Sequence, residues 1–141
     1  MRDMILRGPS SFDAVFVYES VAVDFLKNAE GRWGPLRIVY PDLNMWNDNP
    51  YYVLDASWSS GAQRKAAGDF LDFLMSEPVQ RESLTHGFRP GNPQVSIKAP
   101  QSPFVQYGSS GLRVALTTSC EPPSATVISN LLGSWQRGVG R

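Results

Sequence analysis

Cysteine and histidine are almost missing from this sequence of 141 residues, which contains one of each. The single thiol, Cys120, cannot form an internal disulfide and cannot supply the several ligands of a structural zinc site. The single histidine, His86, leaves little scope for histidine-dependent catalysis. It lies one residue before the helix-ending Gly87, where we expect it to meet free carbonyls, and no other histidine remains for a catalytic triad. We therefore expect neither a metal site nor a cofactor, and the expectation of an enzyme is lowered.

Charge is also scarce. The 13 Lys and Arg residues balance the 13 Asp and Glu residues, and charged residues make up 18% of the chain, against about 25% in a typical soluble domain. The basic residues are scattered singly, so the chain lacks the positive stripe of a nucleic-acid-binding protein. No apolar run approaches the roughly 18 residues that indicate a transmembrane helix. The first residues do not resemble a secretory signal peptide.

The residues that are present favour a globular domain rich in loops. Hydrophobic residues make up 42% of the chain and aromatic residues 11%, which predicts a packed core. The patterning predicts short strands alternating with amphipathic helices, in an order typical of an α/β fold. The predicted strands are Ala14–Tyr18, Leu36–Tyr40, Tyr51–Leu54 and Leu112–Leu116, and the predicted helices are 2–7, about 20–28, 59–75, 76–87 and 124–136.

The first candidate site is Tyr18-Glu19-Ser20, at the junction of a predicted buried strand and a helix. Ligands of open α/β sheets collect beyond the carboxyl ends of strands, where helix N-termini present free N–H groups. The tyrosine could stack or donate a hydrogen bond, the serine could hydrogen-bond, and the glutamate could accept from a hydroxylated or cationic ligand. Alternatively, Ser20 only caps the helix and Glu19 only complements its dipole.

The second candidate site is the segment from Asn44 to Asn49, which combines three asparagines with Trp46 and an aspartate. Polar amides beside a flat apolar ring suit a small polar ligand or a partner loop. It does not match a calcium-binding loop, because Trp46 and Asn47 occupy positions that such a loop reserves for a ligand and a glycine. The alternative is a turn whose amides bond to its own backbone.

Three segments resemble the type 2 extracellular solute-binding proteins, a family that includes the molybdate-binding group. Residues 12–20, FDAVFVYES, resemble the strand that crosses between the two lobes, and Val39-Tyr40-Pro41 resembles the next strand. Residues 60–90, which end in Gly87-Phe88-Arg89-Pro90, resemble the closing pair of helices. The resemblance covers about residues 3–93 and is most specific in the third segment.

The resemblance implies a partial type 2 periplasmic-binding-protein fold, that is, an incomplete three-layer α/β/α lobe. Residues 1–93 would form the C-terminal part of the solute-binding domain. Residues 94–141 would form a Pro- and Ser-rich extension with a terminal helix, as in the subgroup sometimes linked to a von Willebrand factor A-type domain. Tyr18, Glu19 and Ser20 would face the cleft between the lobes, and Asn44, Trp46 and Asn47 are assigned to the same cleft.

The resemblance further implies a non-catalytic, extracytoplasmic protein, periplasmic or on the cell surface, that binds a small polar solute and delivers it to the permease of an ABC transporter. Because the first part of such a protein is absent from this sequence, we also expect self-association through an exposed sheet edge. A cell-surface protein-interaction module is the alternative function. An enzyme with Glu19 as general acid or base is the third hypothesis, and it lacks a second catalytic group.

Overall fold

The computed structural model describes residues 2–29 and 31–140, and their regular structure is helical. Within these residues there is no β-strand, and the isolated parallel bridge between Asn44 and Ser119 is the one sheet-like pairing. Two 3₁₀ turns, Gly8–Ser10 and Gly108–Ser110, accompany the α-helices. The α-helices are α1 (Arg2–Arg7), α2 (Glu19–Ala29), α3 (Gly61–Met75), α4 (Glu77–Thr85), α5 (Pro103–Gln106) and α6 (Ala125–Gly138).

The predicted α/β fold, and with it the incomplete three-layer α/β/α lobe, is wrong for this structure because such a lobe requires a sheet. The segments predicted as strands, Ala14–Tyr18, Leu36–Tyr40, Tyr51–Leu54 and Leu112–Leu116, belong to no strand. Their β-branched and aromatic residues have high β-propensity, but that propensity is realised only when a neighbouring strand provides hydrogen bonds and side-chain packing. The amino-acid pattern of a segment cannot supply that neighbour.

The chain forms two compact units. The first comprises the described residues of Met1–Val39 and Asn49–Ala115, and the second those of Tyr40–Asp48 and Leu116–Arg141. The first unit contains the buried apolar residues, which come from α2, α4, α5 and the irregular segments around α5. They are Val23, Phe25, Leu26, Leu84, Val95, Phe104 and Leu112. The core is therefore small, and part of it comes from the Pro- and Ser-rich stretch after residue 90.

The helix α3 begins where the sequence predicts it. Ser60 is its N-cap, and the Ser60 hydroxyl accepts a hydrogen bond from the backbone N–H of Gln63. The Gln63 side chain in turn accepts from the backbone N–H of Ser60 at 2.8 Å. This reciprocal capping box satisfies two N–H groups that an uncapped helix end would leave free.

The end of α4 places Gly87 directly against α2. The Gly87 N–H donates to the Leu84 carbonyl at 2.9 Å, and the next N–H donates to the Ser83 carbonyl at 3.2 Å. This is a Schellman ending, and Gly87 adopts the left-handed φ of 82° that such an ending requires. A Cβ at Gly87 would lie 2.8 Å from the Val23 Cβ and 2.9 Å from the Ser20 Cα. Gly87 is thus needed for both its backbone conformation and its contact with α2.

We expect Gly87→Ala to lower the free energy of unfolding by about 1–2 kcal/mol more than Gly34→Ala does. Gly34 is a matched control because its φ is 81° and no atom would lie within 4 Å of an added Cβ. The control therefore carries the left-handed strain alone, while Gly87→Ala adds the overlap with α2. Urea unfolding followed by circular dichroism measures both values. Equal losses of unfolding free energy in the two variants would show that α2 shifts to accommodate the added methyl group without destabilising the chain.

The second unit is held by hydrogen bonds between its two chain segments. The Cys120 N–H donates to the Asn44 carbonyl at 3.0 Å, and the Thr118 hydroxyl donates to the Asp42 carbonyl. Ser124 caps α6 by accepting from the Val127 N–H, and the helix begins close to its predicted start at about residue 124. The apolar face of α6 is nevertheless exposed, and no residue of the helix is buried. Its large apolar side chains are Val127, Ile128, Leu131, Leu132 and Trp135.

Candidate functional site

The residues Tyr18, Glu19 and Ser20 lie at the N-terminus of α2. Glu19 is the first helical residue, and the Tyr18 carbonyl accepts the hydrogen bond of the Ala22 N–H at 3.0 Å. Tyr18 thus occupies the N-cap position, and the prediction that Ser20 caps the helix is wrong. The Tyr18 side chain is 65% exposed, whereas Glu19 and Ser20 are half-buried. Tyr18 therefore immediately precedes the first turn of α2, and Ser20 lies within that turn.

The Glu19 carboxylate forms a two-point ion pair with Arg89. The Arg89 Nε donates to Glu19 Oε2 at 2.7 Å, and its Nη2 donates to Glu19 Oε1 at 2.8 Å. The Arg89 side chain is only 17% exposed, and the Glu19 side chain is 23% exposed. A paired arrangement of two parallel hydrogen bonds between charged groups is among the strongest polar contacts in proteins, and it fixes orientation as well as distance.

Arg89 also joins further segments of the first unit to α2. Its Nη1 donates to the Val114 carbonyl at 2.8 Å, and its Nη2 donates to the Arg113 carbonyl at 2.7 Å. The guanidinium carbon lies 4.6 Å from the centre of the Phe104 ring, within the range of a cation–π contact. One side chain therefore links the first residue of α2, the chain at 113–114 and helix α5. We call Arg89 and Glu19 together the Arg89 clamp.

The Arg89 clamp changes the role expected for Glu19. Both oxygens of its carboxylate are engaged by the guanidinium, so the charge that the sequence analysis offered to a ligand is balanced by Arg89. The glutamate thus ties the start of α2 to Arg89. Arg89 could not be recognised as the partner of Glu19 from the sequence, because the two residues are 70 positions apart and no local pattern links them.

An open apolar groove of about 450 Å³ lies beside this helix start. It is lined by Phe16, Val17, Tyr18 and Val21. The groove is wide open to solvent and is lined by one short stretch of chain, whereas established small-molecule sites bury most of their ligand. The groove adjoins the start of α2, with Tyr18 as the residue of the predicted site that lines it.

The residues Asn44, Trp46 and Asn47 belong to the second unit. Asn44 is half-buried, and its side-chain amide donates to the Pro41 carbonyl at 3.0 Å. The structure thus bears out, for Asn44, the alternative of a turn that bonds its own backbone. Trp46 is 52% exposed and Asn47 is also exposed. A ligand-binding role for these three residues remains a prediction.

Two further residues to place are the single histidine and the single cysteine. His86 is the C-cap residue of α4. The Nε2 of its imidazole lies 3.2 Å from the carboxylate of Glu82, one turn earlier in the helix. Cys120 is a free, half-buried thiol. Among residues 2–29 and 31–140 no three side chains of metal-ligating type gather into a group. In the same part of the chain, no helix combines the length and the apolar character that crossing a membrane demands.

Comparison with known proteins yields no matching family model, no matching curated protein and no matching solved structure. The function must therefore be argued from the residues themselves and from the contacts described above.

Proposed function

We propose that the chain is a non-catalytic segment of a solute-binding protein, which contacts a small polar solute through the start of α2. The observation that carries the proposal is the Arg89 clamp. Glu19 belongs to the FDAVFVYES segment and Arg89 to the Gly87-Phe88-Arg89-Pro90 segment, and these are two of the three segments that resemble the type 2 solute-binding proteins. They form a half-buried, two-point ion pair across 70 positions of sequence.

A second contact between the same two segments supports the proposal. Gly87 lies so close to α2 that an added Cβ would be 2.9 Å from the Ser20 Cα. The two resembling segments thus contact each other at Glu19 and Ser20, which the resemblance assigns to ligand binding.

The chemistry of the surface indicates the class of solute. The hydroxyls of Tyr18 and Ser20 can donate and accept hydrogen bonds, and the first-turn N–H groups of α2 have no acceptor within the helix. The adjacent groove is apolar. A neutral molecule with several hydroxyl or amide groups and one non-polar face, such as a monosaccharide, matches this combination. We also propose that the parent protein is extracytoplasmic and delivers this solute to the permease of an ABC transporter.

Nuclear magnetic resonance of the ¹⁵N-labelled chain tests the proposal. The probes are D-glucose, L-leucine and sodium molybdate, which represent a neutral sugar, an amino acid and an oxyanion. We expect D-glucose to shift the amide signals of Tyr18, Glu19 and Ser20 with a Kd of about 1 mM, equivalent to roughly −4 kcal/mol. The binding is weak because the groove is open.

The variants Tyr18→Phe and Ser20→Ala remove one hydroxyl each. Both should weaken D-glucose binding by about threefold to tenfold, the usual worth of one neutral hydrogen bond. Tyr52→Phe is the matched control, because Tyr52 is a 78% exposed tyrosine of the same unit outside this surface. Absence of shifts at the start of α2 with all three probes would contradict the proposal and favour the interaction module. Equal weakening in the control would contradict the assignment of the two hydroxyls.

A further inference from the structure

We draw no further inference here: the strongest candidate, the exposed apolar face of α6 formed by Val127, Ile128, Leu131, Leu132 and Trp135, is an unpartnered helix face, and nothing in the structure shows what covers it.

Discussion

The variant Arg89→Ala should lower the free energy of unfolding by about 2–4 kcal/mol. Removing one partner of a buried ion pair costs about 3–5 kcal/mol because the remaining charge loses its compensation, and we reduce that figure because both side chains keep some exposure. Alanine would leave the Glu19 carboxylate and the carbonyls of Arg113 and Val114 without the guanidinium. Urea unfolding followed by circular dichroism gives the value.

Arg81→Ala is the matched control for this prediction. Arg81 also pairs with a glutamate, Glu77, but the two side chains are 48% and 43% exposed and lie one turn apart on α4. Exposed pairs of this kind contribute about 0.3–0.5 kcal/mol. Arg89→Lys provides a second measurement should the alanine variant fail to fold, because lysine keeps the charge and loses the two-point geometry. A loss no larger in Arg89→Ala than in Arg81→Ala would show that the clamp does not hold the first unit together.

The variant Phe104→Ala should cost about 3–5 kcal/mol, the usual range for truncating a buried phenylalanine. Phe104 is 1% exposed, and its ring packs against the Arg89 guanidinium at 4.6 Å. The substitution removes apolar contacts, leaves a cavity in a small core and weakens the clamp. Thermal or urea unfolding measures the loss, and the energies of Phe104→Ala and Arg89→Ala should be non-additive because the two side chains touch.

Phe73→Ala controls for the loss of a phenylalanine as such. Phe73 is 57% exposed on α3, so truncating it should cost less than about 1 kcal/mol. Similar losses for Phe104→Ala and Phe73→Ala would mean that the buried residues around α5 do not act as the core of the first unit.

The sequence by itself determined most of the helices. α3 and α4 begin and end close to their predicted bounds, because their capping residues are local signals: the serine and glutamine of a capping box, and the glycine of a Schellman ending. The start of α6 at Ser124 follows from the same kind of signal. Each of these interactions joins residues within about four positions, so the sequence pattern contains both partners.

The strands could not be predicted from the same kind of reasoning. Ala14–Tyr18 and Tyr51–Leu54 have the composition of strands, and the structure leaves both outside any sheet. A strand requires hydrogen bonds to a neighbour that is distant in sequence or belongs to another chain. The composition of a segment shows only that segment's own preference for the strand conformation and does not identify a neighbouring strand. The spacing of apolar residues likewise predicts an apolar face on α6, but it does not specify what covers that face, and the structure leaves it exposed.

The candidate site also combines features that the sequence predicted with contacts that only the tertiary structure revealed. The sequence singled out Tyr18, Glu19 and Ser20 by their position at a helix start, and α2 does begin there. Only the tertiary structure decided that Glu19 is held by Arg89 and that the ring of Phe104 lies beside the guanidinium. Local signals specify where a helix begins, because both interacting groups are near each other in sequence. The partners of a half-buried charge are chosen by the packing of distant segments, and that choice leaves no pattern in the sequence of either segment.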